Sequence, residues 1–247
     1  MEKNFVYYKF DDIIIDDTRH ATKIKTSEYC NVGNYPIIDQ GQNYISGYTN
    51  YDKGLYTDIP SIIFGDHTRI FKYIDTPFFI GADGVKVLKC KMESVNCKYL
   101  YYFFLNAKIP NTGYNRHFKW LKDLIIPIPN IEMQNKLVDI LDKAQYLIDK
   151  RRQQIEQCDE LIKSQFVAMF GDPISNSMGW KKEVCKNISI KIGSGATPKG
   201  GNASYKEEGI SLIRSMNVHN DRFEYKDLAY IDDKQAEKLG NVIVEEN

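Results

Sequence analysis

The stretch Ile125–Pro173, IIPIPNIEMQNKLVDILDKAQYLIDKRRQQIEQCDELIKSQFVAMFGDP, decides how the chain is organised. Its opening alternates Ile with Pro, and each Pro removes a backbone donor and biases its predecessor away from helix, so Ile125–Pro129 is expected as an extended edge. From Ile131 to Phe170 there is neither Gly nor Pro. Leu137, Leu141, Ala144, Ile148, Arg151, Ile155, Cys158, Ile162, Gln165 and Met169 follow one another at alternating steps of four and three. That is a heptad seam, interrupted at Arg151 and Gln165, and it predicts a continuous helix. Gly171, Asp172 and Pro173 supply the stop. Such a helix would be on the order of 60 Å long, too long to lie over one small domain. A core helix of a bundle is the competing reading. Period and length favour a helix that needs a partner helix, with Leu137, Leu141, Ala144, Ile148, Ile155, Ile162 and Met169 as the pairing residues.

Upstream the texture is different. Ile13-Ile14-Ile15, Tyr35-Pro36-Ile37-Ile38, Ser61-Ile62-Ile63-Phe64 and Val85-Lys86-Val87-Leu88 are short β-branched runs bounded by Gly, Asp, Asn or Pro, and they read as strands. Asn96–Leu105 reads as a short amphipathic helix. The fold class is therefore α+β. The expected plan is a first domain over residues 1–129, a spacer helix over 130–172 and part of a second domain over 173–247.

An internal repeat supports that plan. Shifting the chain by 175 positions sets Ile13 and Ile15 on Ile188 and Ile190, and Ala21-Thr22 on Ala196-Thr197. The same shift sets Ile37-Ile38 on Leu212-Ile213, Gln42 on Asn217 and Asp58 on Asp233. The second copy is expected to begin near Trp180 and to stop at Asn247, before any equivalent of Ser61–Leu105.

Composition narrows the class. In 247 residues, 43% hydrophobic and 13% aromatic, there is enough apolar material for a core. Lys plus Arg equals Asp plus Glu at 33 each, which excludes a blanket polycation and leaves a local basic face open. The five cysteines, Cys30, Cys90, Cys97, Cys158 and Cys185, form no CxxC pair, so neither a zinc ribbon nor a disulfide framework is indicated. The first residues lack the apolar run of a signal peptide, and no stretch approaches a membrane span. A cytoplasmic protein with no membrane contact is expected.

No catalytic constellation is visible. Gly193-Ser194-Gly195-Ala196-Thr197-Pro198 lacks the Lys and hydroxyl ending of a phosphate loop and reads as a turn. Asp221, Glu224 and Lys226 lie too close together to act as metal ligands from separate strands. His20, His67, His117 and His219 are isolated from any ligand spacing. No GxSxG elbow or kinase signature occurs. No enzyme, metal or cofactor is expected.

Three loops instead combine polar, basic and aromatic side chains. Asp39–Tyr44 offers Gln40, Gln42, Asn43 and Tyr44. Phe64–Lys72 offers His67, Thr68, Arg69 and Lys72. Asn111–Trp120 offers Asn115, Arg116, His117 and Lys119. Amides and Arg suit base edges, while Lys, Thr and backbone N–H groups suit phosphates, so the set predicts contact with double-stranded DNA. Each has a bland alternative, with Phe71, Phe118 and Trp120 in a core and Arg69 paired to Asp66.

Tyr35–Thr49, Ile62–Leu88, Leu121–Leu137, the helix ending Phe166–Pro173 and the passage Ile192–Asn217 together resemble the specificity subunit of type I restriction-modification enzymes. The resemblance implies two target-recognition domains, each followed by a long helix, with the two helices packed antiparallel as a spacer. It also implies a non-catalytic subunit that reads a bipartite DNA site and recruits methyltransferase and restriction subunits. This chain departs from the pattern by lacking the second half of the second domain and the second helix, so a homodimer through the long helix is expected. A coiled-coil adaptor for protein partners and the recognition portion of a fused restriction enzyme are the alternatives.

Overall fold

Strand β5, Ser61–Gly65, shows how the apolar runs build the core: every one of its residues is buried. A strand covered on both faces reads as a continuous hydrophobic run rather than an alternating one. Ile62 and Phe64 face one cluster with Phe10, Phe71, Leu88, Leu100, Phe104 and Leu121. Ile63, between them, faces the other with Ile38, Tyr56, Phe78, Val85 and Val87. Each such side chain contributes roughly 1.5–3 kcal/mol on burial.

The computed structural model describes residues 5–81 and 83–244, so the outer ends of the expected first and second domains lie outside the described residues. The chain forms two compact units, Met1–Gln165 and Phe166–Asn247. In the first, β2 (Ile14–Asp16), β8 (Val85–Cys90), β5 and β6 (Phe71–Ile74) form an antiparallel sheet in that order. A second sheet orders β4 (Gly47–Thr49), β3 (Tyr35–Ile38) and β7 (Phe79–Ile80), with Ile37 paired to Gly47 on one side and parallel to Phe79 on the other. The first sheet is packed between the second sheet and helix α2.

Helix α2, Cys97–Asn106, starts at Asn96, whose side chain accepts the amides of Lys98 and Tyr99, the standard use of Asn at a helix start. The Ile-Pro run forms β9 (Ile125–Ile128), an edge that among the described residues pairs with β1 (Val6–Lys9) alone, and Pro127 sits opposite Tyr7. The expected strand at Ile13–Ile15 is shorter than its sequence suggests. Phe10–Ile13 coils into a helical turn, α1, that buries Phe10 and Ile13, and only Ile14–Asp16 is extended.

The long helix α4 runs Ile131–Phe170. Its first turns are tied down by Gln134, which is fully buried. The Gln134 amide oxygen accepts from Asn96 N (2.8 Å), and its nitrogen donates to Ser94 O (3.1 Å) and Pro129 O (2.8 Å). Asp142 receives hydrogen bonds from Tyr102 and Lys98 on α2 (2.6 and 2.7 Å). From Lys143 to Phe170 every residue is exposed. Ile155 (63%) and Ile162 (68%) of the predicted seam are among them, and Leu141 (38%), one turn earlier, is also exposed. Gly171, at φ +75°, ends the helix, its amide bonded to Val167 O.

Three elements of the second unit fall where the shift of 175 sets elements of the first. Cys185–Ile188 forms a helical turn, α5, where the shift of 175 sets α1, and Gly201–Ser204 forms a 3-10 turn where it sets the turn at Thr26–Glu28. Strand β10, Ile210–Leu212, stands where the shift sets β3. β10 pairs with β11 (Ala229–Ile231) in a two-stranded sheet, followed by α6 (Asp233–Lys238).

Candidate functional site

Gln40, just past β3, ties the first predicted loop to the second. Its Oε1 accepts the amide of His67 (3.2 Å), its Nε2 donates to Asp83 O (2.9 Å), and its carbonyl accepts from the Thr68 hydroxyl (2.7 Å). So tight an approach needs glycine on the facing loops. A Cβ at Gly65 would lie 2.2 Å from Thr68 Oγ1 and 2.8 Å from Gln40 Cβ. At Gly84, where φ is +84°, it would meet His67 Cδ2 at 2.7 Å.

Lys72 holds the first loop from beneath. It is almost wholly buried, and its ammonium donates to Asp39 O (2.7 Å) and Asn43 O (2.6 Å), with the Asp39 carboxylate at 3.9 Å. Burial lowers its pKa, and the nearby Asp39 charge offsets part of that shift. Tyr44 closes the far end of the loop by donating its hydroxyl to Tyr73 O. Gln42 and Asn43 are left with exposed side chains.

His117 does the same for the third loop. It is fully buried between α3 (Phe118–Leu121) and the β5–β6 turn. Its ring Nδ1 donates to Asp66 O (2.9 Å), as does its own amide (2.9 Å), leaving Nε2 to accept from Thr112 N (3.4 Å). The Asp66 carboxylate accepts the Phe118 amide (2.6 Å) rather than pairing with Arg69. Above this anchor Tyr114, Asn115 and Arg116 are exposed. His67 bridges to the third loop by donating Nδ1 to Asn115 O (3.2 Å).

The structure thus brings the three loops onto one continuous surface of the first unit and divides the predicted residues into two groups. Gln42, Asn43, Tyr44, Thr68, Asn115, Arg116 and Lys119 expose their side chains. Lys119 lies over the Trp120 ring at 4.9 Å. Lys72 and His117 are enclosed, with their polar atoms bonded to loop groups, and Gln40 and His67 are half-buried and likewise engaged. Arg69 is half-buried, adopts a positive φ of 62°, and donates to Ile109 O at 3.5 Å in a shallow groove with Phe104, Leu105 and Ala107. Tyr114 was not a candidate from the sequence, yet its ring is 88% exposed at the tip of the third loop, stacked on His67. Only the neighbouring Gly113 hinted at a protruding turn.

Among the described residues no group of three or more His, Cys, Asp or Glu side chains could hold a metal ion. No helix among them is long and apolar enough to cross a membrane. What the surface offers is amides, hydroxyls, two exposed cations and two exposed tyrosine rings on hydrogen-bonded loops.

A mixed helix-and-strand domain thus gathers these loops and continues into a long exposed helix. The chain belongs to the family described as type I restriction modification DNA specificity domain, whose model matches residues 2–157. Over 135 residues it is 30% identical to the type I restriction enzyme EcoR124I/EcoR124II specificity subunit of Escherichia coli. That alignment spans 49% of this chain and 33% of the relative. The crystal structure of the type I restriction-modification S subunit from M. genitalium shares the fold, with a TM-score of 0.52 at 16% identity, covering 87% of this chain and 57% of that one. The chain therefore spans about a third of the curated relative and a little over half of the solved subunit.

Proposed function

We propose that this chain reads DNA sequence for a type I restriction-modification assembly, through the loop face of its first unit, and has no catalytic site of its own. The observation that carries the reading is the convergence of Asp39–Tyr44, Gly65–Lys72 and Asn111–Lys119 through Gln40, Lys72 and His117. Buried polar groups that do nothing but fix loop carbonyls make sense where loop geometry must be exact, because base readout depends on hydrogen-bond direction. Gln42, Asn43, Thr68 and Asn115 are assigned to base edges or phosphates, and Arg116 and Lys119 to phosphates. Lys72 and His117 are supports. The partners are double-stranded DNA and the methyltransferase and restriction subunits of the same system, in the cytoplasm. Residues 173–247 are the opening part of a second recognition domain, as the matching turns and strand support. The test is methylome sequencing of cells carrying the methyltransferase subunit with and without this chain. A methylated motif that appears only with the chain is expected, and an unchanged methylome contradicts the reading.

A second observation favours a homodimer through α4. Its seam leaves Leu141, Ile148, Ile155, Ile162 and Met169 in water. Burying such side chains is worth roughly 1.5–3 kcal/mol each. An antiparallel two-fold pairing covers the seam on both copies at once and presents two loop faces, which would read an inverted repeat. Light scattering should give a dimer that Leu141→Asp with Ile155→Asp dissociates; a monomer of the unmutated chain at micromolar concentration contradicts it.

A further inference from the structure

Tyr114 is the exposed aromatic on the loop face that the assignment above leaves without a task. Gly113, with φ +77° and nothing within 4 Å of a Cβ built on it, lifts the next residue off the body of the unit. The Tyr114 ring lies on the His67 imidazole with centroids 4.8 Å apart and planes 10° apart. His67 is held on both sides, its amide by Gln40 Oε1 (3.2 Å) and its Nδ1 by Asn115 O (3.2 Å). Asn115 also bonds within the loop, its amide to Gly113 O (2.9 Å) and its side chain to Thr112 O. One face of the Tyr114 ring therefore rests partly on the His67 imidazole in an offset stack, and the other is open to solvent.

We propose that the open face of Tyr114 stacks on a single DNA base at a kinked step of the recognised site, making Tyr114 a specificity-determining residue. The inference rests on the DNA-reading role assigned above. A phosphate contact would need only the hydroxyl and would not call for a ring backed by a second ring. A wedge between two intact base pairs would need both faces free, and His67 occupies one. What fits is a base that has lost one stacking neighbour and takes Tyr114 in its place, continuing the stack from His67. Aromatic stacking of this kind is tolerant of base identity. Unstacking is easiest at pyrimidine–purine steps. The residue therefore selects a flexible step rather than a particular base. Because Tyr114 is held before DNA arrives, little side-chain freedom is lost on binding. His67 is a positioning residue in this arrangement.

The experiment selects duplexes from a randomised library with the full chain. It then measures binding of the selected duplex, intact or nicked at its pyrimidine–purine step, to the wild type and to Tyr114→Ala, Tyr114→Phe and His67→Phe. About tenfold weaker binding is expected for Tyr114→Ala, with wild-type binding for Tyr114→Phe, since the ring carries the effect. A nick eases the kink without changing a base. It should tighten binding by the wild type and by Tyr114→Phe several-fold and leave Tyr114→Ala unmoved. His67→Phe, which keeps an aromatic support, should keep the response to the nick. A Tyr114→Ala chain that binds like the wild type and responds to the nick equally overturns the stacking proposal and leaves the DNA-reading role standing. Loss of binding in Tyr114→Phe assigns the hydroxyl instead and also overturns it. A wild-type chain that selects no duplex overturns both.

Discussion

Strands β3 and β10 share a place in the repeat, and they end in different surroundings. In the first unit Ile37 and Ile38 are buried (0% and 1% exposed), with β4 on one edge of the strand and β7 on the other. In the second unit their counterparts are Leu212 (9%) and Ile213 (44%), and β10 is paired on one edge only among the described residues. The apolar pattern is enough to make the strand. Burial is supplied by a segment far along the chain, Phe78–Ile80 in the first unit. The loop after the strand follows the same division. Gln42 is exposed on the first unit's loop face, whereas its repeat partner Asn217 is fully buried and donates to Glu224 O at 2.9 Å. In the first unit the exposed loop thus follows a strand paired on both edges.

The sharpest break in that comparison is an aspartate in β3 and another just past the end of β10. Ile37→Asp places an unpaired carboxylate in a closed core and should cost more than about 4 kcal/mol, enough to prevent folding of the first unit. Ile213→Asp should cost within about 0.5 kcal/mol. Urea titrations of both variants check this; equal losses would mean that β10 is covered as fully as β3.

A smaller effect separates support from contact on the loop face. Lys72→Met leaves the carbonyls of Asp39 and Asn43 without their buried donor, at a cost of about 1–3 kcal/mol. The loop carrying Gln42 and Asn43 should loosen, so DNA affinity falls while the salt dependence of binding keeps its slope, because Lys72 touches no phosphate. A shallower slope in this variant would place Lys72 on the DNA instead.

The smallest expected effect is at the root of α4. Burial raises the Asp142 carboxyl, but the hydrogen bonds from Lys98 and Tyr102 outweigh it and hold its pKa below the ordinary carboxylate value. A carboxyl depressed in the folded state adds stability that is present above its unfolded pKa near 3.8 and lost as pH falls through the folded value. Asp142→Asn should therefore lower stability at pH 7 by under about 1 kcal/mol and flatten its fall below pH 4. An unchanged acid limb would show that the α2–α4 brace carries no stability.

How far the sequence revealed this arrangement differs from element to element. The bounds of α4 follow from the absence of Gly and Pro between Ile131 and Phe170, and the start of α2 from the capping side chain of Asn96. Both are local signals. Strand β7 was not legible, because Phe79–Ile80 is two residues long and is defined by pairing with the distant β3, and β6 was read as part of a polar loop although it pairs with the adjacent β5. On the loop face, residue chemistry singled out three segments that the fold links by hydrogen bonds but could not tell side chains that face solvent from those that face inward. Lys72 and His117 belong to the second kind. Tyr114 escaped notice because what marks it is a stacking contact with a residue 47 positions away.

The central claim is that the exposed cations of the first unit's loop face meet DNA phosphates. The most direct measurement is the dependence of duplex binding on salt for the wild-type chain, for Arg116→Glu with Lys119→Glu, and for Lys150→Glu with Arg152→Glu on the exposed length of α4. Each phosphate-contacting cation contributes roughly one unit to the slope of log affinity against log salt. The loop variant should bind more weakly with a slope shallower by about two units, and the α4 variant should match the wild type. A loop variant whose affinity and slope equal those of the wild type would contradict the assignment of this face to DNA.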